Sequence, residues 1–281
     1  MRATIAEYCM FRHDDKIMLA VSGGKDSITM LHILTELVGK FPKSSLCAVT
    51  VDEGIRGYRD EALKLAAKNC RKLNVEHTIT SFKELLGITL DELVKALKKT
   101  RRDDSRGLSP CAFCGVLRRR VLNIAAREAG VDKLATAHNL DDETQTILLN
   151  ILHGETLRIA RVKPVSDERH RKLVQRVKPL CEIPEKEIAF YAYQRQTEFQ
   201  SIPCPYASTA LRSDIRLILN RLEEKHAGIK YTLFRSIEKI RPALERVHFE
   251  TKLRECKLCG EPTVGNVCKS CQILETLNII G

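Results

Sequence analysis

Two groups of residues in this 281-residue chain have types and spacings suited to chemistry. The first is Ser22-Gly23-Gly24-Lys25-Asp26-Ser27. A Gly-Gly turn ahead of a helix lets backbone N–H groups converge on an anion, and the helix N-terminus adds positive potential there. The spacing is not G-x-x-x-x-G-K-[ST], so the loop is not of the Walker type. The second group is cysteine. Eleven cysteines in a chain without a secretory leader argue for metal or redox chemistry rather than disulfides.

Cys256, Cys259, Cys268 and Cys271 form a C-x2-C-x8-C-x2-C array. Four thiolates on two tight knuckles satisfy tetrahedral Zn²⁺ and leave no open position, so a metal here is structural. Gly260 follows the first pair, where a knuckle turn favours a small residue. Loss of one thiolate is expected to loosen the tail. Cys111-Ala112-Phe113-Cys114 is a lone pair opening a helix, with Pro110 before it and Arg118-Arg119-Arg120 after it. A helix N-terminus and nearby arginines favour thiolates. Cys204, in Pro203-Cys204-Pro205-Tyr206, is the best distant third thiol. Three such cysteines suit an iron–sulfur cluster with one iron left open, whereas four close it. A redox pair, a persulfide carrier and a plain structural turn stand as alternatives. Cys9, Cys47, Cys70 and Cys181 look like incidental or buried thiols.

The elements that must position these groups alternate. Apolar strand patterns lie over 17–21, 46–51, 76–80 and 133–136, and helical patterns over 25–38, 59–73, 115–129 and 141–152. Alternation of this kind predicts an α/β fold with a parallel sheet and helices on both faces. Ligands of such sheets sit beyond the carboxyl ends of the strands. Ser22–Ser27, Asp52 and Ala137-His138-Asn139 would all fall there. Further helices are expected over 184–197, 209–225 and 230–247, the last kinked at Pro242. The tail from Glu255 reads as a separate cysteine module.

Net charge is +11, which favours an anionic partner. Two basic stretches flank the candidate chemistry. Lys95 to Arg127 holds Lys95, Lys98, Lys99, Arg101, Arg102, Arg106, Arg118, Arg119, Arg120 and Arg127 against Asp103 and Asp104. Arg158 to Lys178 holds eight basic residues against Asp167 and Glu168. Lys and Arg neutralising phosphates supply most nonspecific nucleic-acid affinity. The chain has no tryptophan, which argues against broad base-stacking platforms. No stretch is apolar enough to span a bilayer, so no membrane partner is expected and the location reads as cytoplasmic.

Ser22–Ser27 matches the SGGxDS signature of the PP-loop ATP pyrophosphatases. With Val51-Asp52-Glu53-Gly54-Ile55, Cys111/Cys114, the 135–143 segment Ala-Thr-Ala-His-Asn-Leu-Asp-Asp-Glu, Cys204-Pro205-Tyr206 and the C-terminal knuckles, the chain resembles the tRNA 2-thiolation enzymes of the TtcA/TtuA family over nearly its whole length. The knuckles place it nearer the TtuA-like branch, which makes 2-thiouridine, than the TtcA-type cytidine thiolases. That branch usually carries a second finger before the PP-loop domain. Here the residues ahead of Ser22 hold one cysteine, Cys9.

The resemblance implies ATP with Mg²⁺ on the 22–27 loop, with Ala20, Ser22, Gly23, Gly24, Lys25, Asp26, Ser27, Val51, Asp52 and Ala137 around the nucleotide. It implies adenylation of uridine O2 with release of pyrophosphate. Asp142 and Arg118 are the candidates for orienting and charge-balancing that step; a helix N-terminal acid and a phosphate contact are their plainer roles. His138 is a candidate base or a structural histidine. Cys111, Cys114 and Cys204 resemble ligands of a [4Fe–4S] cluster whose fourth iron presents sulfide; a persulfide on one of them is the competing route. Expected partners are tRNA, a second copy of the chain, and a sulfur donor, either inorganic sulfide or a ubiquitin-like thiocarboxylated carrier protein. The expected organisation is a catalytic domain over 1–205, a helical extension over 206–250 and a zinc finger over 251–281. A 2-thiocytidine synthase, a lysidine-type or amidating PP-loop enzyme and a non-catalytic zinc-bearing RNA-binding module are the competing functions.

Overall fold

The computed structural model describes residues 1–100, 109–167, 170–206, 211–247 and 252–276, without the side chains of 99 and 100. The side chain of Lys99, Arg101, Arg102, Asp103, Asp104 and Arg106 of the first basic stretch, and Glu168 and Arg169 of the second, lie outside the described residues.

The chain runs α1 (Arg2–Glu7), β1 (Lys16–Ala20), α2 (Lys25–Val38), β2 (Ser45–Asp52), α3 (Arg59–Lys72), β3 (Glu76–Ser81), α4 (Phe82–Leu86), α5 (Leu90–Thr100), α6 (Pro110–Glu128), β4 (Lys133–Ala135), α7 (Leu140–Leu152), α8 (Thr156–Ala160) and β5 (Gln175–Val177). It ends with α9 (Glu185–Gln194), α10 (Leu211–Lys225), α11 (Ile229–Val247), β6 (Arg254–Glu255), β7 (Pro262–Thr263) and α12 (Lys269–Glu275). Five strands form one parallel sheet in the order β3-β2-β1-β4-β5, and β6 and β7 form a small antiparallel pair.

The central strand β1 is buried on both faces, as an apolar run in a parallel sheet should be. Its alternation sorts two cores. Ile17, Leu19 and Val21 point to one that contains Leu31 and Leu34 of α2, Ile147 of α7 and Phe234 of α11. Met18 points to the other, with Val49, Phe82, Leu93, Phe113, Leu117, Val121 and Leu134. The second core also takes in Ile273 and Leu274 of α12. The cysteine tail is therefore docked on the sheet's α6 side, where a separate module was expected.

The four expected strands are present. The fifth, β5, is three residues inside the second basic stretch and carries no alternation long enough to read. It pairs with β4 in the register Leu134↔Arg176. Pro242 lies inside α11. No helix among the described residues is long and apolar enough to cross a membrane.

Candidate active site

The strand order reverses at β1 and β4, so their carboxyl ends bound the crevice where ligands of such sheets bind. The 22–27 loop leaves β1 there. Gly23 has φ +88°, and a Cβ on it would stand 2.4 Å from the carbonyl oxygen of Ala62. Only glycine fits that turn. Ser27 Oγ donates to the Gly24 carbonyl at 2.9 Å and accepts from the Ser22 amide at 3.1 Å, closing the loop on itself. Ala20 ends β1, half-buried.

Gly23→Ala meets both a forbidden φ and a backbone clash. Strain of this kind costs about 1–3 kcal/mol. ATP affinity should fall about tenfold or more by calorimetry. Gly57→Ala carries the same φ penalty, since Gly57 sits at φ +73°, but its Cβ meets nothing within 4 Å. It should leave ATP affinity unchanged. Equal losses in the two variants would show that the approach to Ala62 is irrelevant.

Lys25 is not free. Its Nζ lies 2.6 Å from Glu185 and 3.0 Å from Asp26. Burial alone would lower its pKa, but the Asp26 and Glu185 carboxylates outweigh burial and hold it above the usual lysine range. Asn139 Nδ2 donates to Asp26 Oδ1 at 3.2 Å and so ties the loop after β4 to the loop after β1. Asp52 Oδ1 accepts from the Gly54 amide at 2.8 Å, so it caps its own turn. The Val51 carbonyl, expected beside the nucleotide, already accepts from Arg59 Nη2 at 2.6 Å. Ala137 is half-buried against the first core.

Asp142 forms a capping box with Asn139: its amide donates to Asn139 Oδ1 at 2.9 Å, and the Asn139 amide donates to its carboxylate at 3.3 Å. The plainer helix-terminal role is thus real, but the same carboxylate also faces the crevice. Its side chain is 38% exposed. Even so, burial pushes its pKa up to about 6, against the pull of Arg212 at 3.6 Å. His138 is likewise exposed, yet burial first, then Lys178, Arg176, Arg212 and Arg118, drives it well below the usual histidine range. Its Nδ1 lies 3.0 Å from Thr136 Oγ1. Both groups follow β4, beside the crevice at the carboxyl ends of β1 and β4.

Their surroundings are cationic. Arg119 is lowered by burial and then by the neighbouring charges of Arg176, Arg118 and Arg158. Among the described residues, the side chains of Arg119 and Arg176 have no hydrogen bond or ion pair, which leaves them available to an anion. Many other cations of the two basic stretches are consumed internally. Arg118 pairs with Glu53, Lys178 with Glu143, Arg127 with Glu261, and Lys163 with Asp167 and Glu245.

The cysteine pair opens α6 behind Pro110, which occupies a position with no N–H obligation. Cys204 reaches it on a strap that begins at the 22–27 loop. The Gln200 amide donates to the Gly23 carbonyl at 2.9 Å, and Gln200 Nε2 to the Tyr58 carbonyl at 2.6 Å. At the strap's far end the Tyr206 carbonyl accepts from Cys111 Sγ at 3.0 Å, and Tyr206 Oη donates to Asp91 at 2.7 Å. Cys204 packs against the core that contains Cys114. Cys204 and Cys111 are both electrostatic neighbours of Cys114, on a strap stitched to the loop by Gln200, although the three sulfurs do not all lie within 4.8 Å of one another.

Burial pushes the Cys114 thiol up to about 11, against the charge of Arg118, whose Nη2 lies 3.2 Å from the sulfur. Arg118 itself is raised: burial pulls it down, but the Glu53 carboxylate at 2.7 Å prevails. Glu53 is 3% exposed and also holds Arg59 at 2.7 Å. Glu53, Arg59, Gln200 and Arg176 carried no local signal beyond the Val51–Ile55 segment and the second basic stretch.

The knuckle cysteines close as their spacing requires. Among the described residues, Cys256, Cys259, Cys268 and Cys271 are the only three or more His, Cys, Asp or Glu groups whose ligand atoms all lie within 4.8 Å of one another. Gly260 adopts φ +69°. Burial would raise Cys256, but backbone N–H donors, Cys268 first at 3.2 Å, hold it down at about 6, whereas burial raises Cys259 and Cys271. Arg120 Nη1 donates to Ser270 Oγ at 3.1 Å and lies 3.7 Å from Cys271 Sγ, while Arg127 grips Glu261 through both guanidinium nitrogens.

The PP-loop domain family ATP_bind_3 matches residues 1–222. A probable sulfurtransferase of Methanocaldococcus jannaschii is 38% identical over 271 residues, covering 96% of this chain and 77% of that protein. A tRNA-5-methyluridine(54) 2-sulfurtransferase of Pyrococcus horikoshii is 35% identical over 269 residues, covering 96% and 81%. Among solved structures, the U34-tRNA thiolase NcsA of Methanococcus maripaludis, determined with its [4Fe–4S] cluster, superposes with a TM-score of 0.81 at 34% identity, covering 100% of this chain and 89% of that one. One strap ties the 22–27 loop to the segment beside Cys111 in a fold that follows a tRNA thiolase from end to end, and the chain belongs to the PP-loop tRNA 2-thiolation sulfurtransferases, the TtcA/TtuA family, on its TtuA-like side.

Proposed function

We propose that the protein uses ATP to adenylate O2 of a tRNA uridine and then replaces that oxygen with sulfur, giving 2-thiouridine. The observation that carries this reading is the strap from Gly23 through Gln200 to Cys204 and Tyr206, which ties the 22–27 loop to the segment that bonds Cys111. Uridine O2 attacks the α-phosphate and pyrophosphate leaves. A sulfur nucleophile then adds at C2, and AMP departs with the oxygen. As a carbonyl oxygen O2 is a poor leaving group; as an adenylate it is a good one.

Phosphates entering the loop would take Lys25 from Glu185, and Asp26 would face the accompanying Mg²⁺. Arg119 and Arg176 suit the phosphates of the RNA backbone. Asp142, ionised, balances charge beside the reacting base, and Arg118 offsets the developing negative charge. Cys111, Cys114 and Cys204 offer three thiols, a donor set suited to a [4Fe–4S] cluster. Sulfurs on different irons of a cubane stand further apart than four ligands of one ion, so the trio need not close as tightly as the knuckle. When bound, such a cluster supplies one iron with an open position for exogenous sulfur. The knuckle suits Zn²⁺ in a closed structural site. The sulfur source is inorganic sulfide or a thiocarboxylated carrier.

Anaerobic incubation with tRNA, ATP, Mg²⁺ and sulfide, followed by nucleoside mass spectrometry, tests the reading. The expected products are 2-thiouridine or its derivative, AMP and pyrophosphate. ADP as the main nucleotide product, or no thiolated nucleoside with an intact cluster, would overturn it; 2-thiocytidine would move the substrate to cytidine and keep the mechanism.

The pH profile carries a second test. Asp142 must be ionised to act, and its pKa in the ligand-free protein is about 6. The log of kcat/KM, which reports the free enzyme, should rise with pH through about 6 and level off above it. Asp142→Asn keeps a side-chain acceptor for the capping box. It should lower the plateau roughly 100-fold and remove the acid limb. An unchanged limb in the variant would assign the titration to another group.

A further inference from the structure

Glu53 follows β2 and is 3% exposed. Its carboxylate is divided between two guanidiniums: Oε2 lies 2.7 Å from Arg59 Nε, and Oε1 lies 2.7 Å from Arg118 Nε. Each arginine reaches onward to a different half of the site. Arg59 Nη1 donates to the Ser22 carbonyl at 3.0 Å and Nη2 to the Val51 carbonyl at 2.6 Å. Arg118 Nη2 lies 3.2 Å from Cys114 Sγ. One buried carboxylate thus stands between the first residue of the 22–27 loop and one thiol of the cysteine trio.

Stability is a poor reason for this arrangement. A buried arginine–carboxylate–arginine triad is commonly matched or bettered by apolar side chains of the same volume. Nor does the local backbone need it. The Glu53 carbonyl accepts from the Leu90 amide at 2.8 Å, and Asp52 caps the turn at Gly54, so the main chain is fixed without the side chain. The two arms also differ in freedom. Arg59 is 6% exposed and held at three points, whereas Arg118 is 46% exposed and held at two, by Glu53 at Nε and by Cys114 Sγ at Nη2. The Arg118 head is the part of the chain of contacts with room for a second arrangement.

We propose that Glu53 is a positioning residue that couples occupancy of the 22–27 loop by nucleotide to the setting of Arg118 against Cys114, and through it to cluster binding at the thiols. The inference rests on the reading that Cys111, Cys114 and Cys204 hold the cluster. A nucleotide that shifts the Ser22 carbonyl moves the rigid Arg59 fork, and Glu53 transmits the shift to Arg118. Coupling between two binding sites is reciprocal, so the cluster must change nucleotide affinity by the same factor by which nucleotide changes cluster affinity.

The test compares four dissociation constants. A non-hydrolysable ATP analogue is titrated calorimetrically into cluster-free and anaerobically reconstituted protein, for wild type and for Glu53→Gln. In wild type the two constants should differ about tenfold, within the usual range for coupled sites. In Glu53→Gln their ratio should fall to about one. A residue that only supports the fold would shift both constants alike and keep the ratio, and that result would overturn the proposal. Glu53→Asp keeps the charge but is one methylene too short to span both guanidiniums. It should also bring the ratio near one, and it serves if the glutamine variant does not fold. A wild-type ratio of one overturns the coupling whatever the variants do. Iron analysis separates the two layers: a chain that takes up no cluster overturns the cluster reading and this inference together, whereas full uptake with a ratio of one overturns this inference alone.

Discussion

Replacing Cys204 by alanine should end tRNA thiolation, by roughly three orders of magnitude or more, because loss of one member of a group acting as a unit removes the unit's whole effect. The fold should survive. The strap that carries Cys204 is held by backbone and side-chain bonds of Gln200 and Tyr206, not by the cysteine sulfur. Trading a half-buried thiol for a methyl group costs about 1 kcal/mol. ATP affinity should stay within about twofold, since the Gln200 bond to Gly23 is intact. The measurements are iron content, the visible absorbance of the reconstituted protein, and nucleoside mass spectrometry, each beside wild type. A Cys204→Ala protein with full iron and normal thiolation would remove Cys204 from the site. Thiolation that persists without iron in the wild type, yet is lost in this variant, would assign the chemistry to a persulfide.

What could be read in the sequence was what is local. Ser22–Ser27 announces itself because strand, glycine turn and helix are contiguous, and the structure places that loop at the β1–β4 crevice as the alternation implied. The knuckle spacing is also local, and its four sulfurs close. Cys204 was legible only as a thiol in search of partners. Its link to the loop runs through Gln200, a residue type with no pattern to betray it. Glu53 was legible only within the Val51–Ile55 segment and Arg59 only as the start of a helical pattern; their pairing and burial are set by the fold. The basic stretches misled in a physical way. Counting cations gives field strength but not who neutralises them, and Glu53, Glu143 and Glu261 come from elsewhere in the fold. Two of the cations left unpaired among the described residues, Arg119 and Arg176, are electrostatic neighbours because β5 pairs with β4, and β5 is too short to show a period.

The tail offers the second large effect, because it is docked on the sheet. A detachable finger would affect RNA binding when its metal is lost and little else. Instead α12 places Ile273 at 5% and Leu274 at 2% exposure in the core that also contains Phe113, Cys114 and Leu117 of α6. Cys271 is the last ligand before those residues and touches Arg120 of the same helix. Metal binding to such a site is folding free energy for the segment it closes. Burying a large apolar side chain contributes about 1.5–3 kcal/mol, so releasing Ile273 and Leu274 removes roughly 3–6 kcal/mol from the α6 side of the sheet. At about 2–4 °C per kcal/mol for a domain of this size, Cys271→Ser or exhaustive chelation should lower Tm by roughly 10 °C or more. Because α6 opens with Cys111 and Cys114 and carries Arg118, iron uptake should weaken along with the fold. Thermal unfolding with and without chelator, read beside iron content and tRNA affinity, decides the matter. If tRNA affinity falls while Tm and iron uptake hold, the tail is an RNA module after all, and its contacts with α6 are incidental.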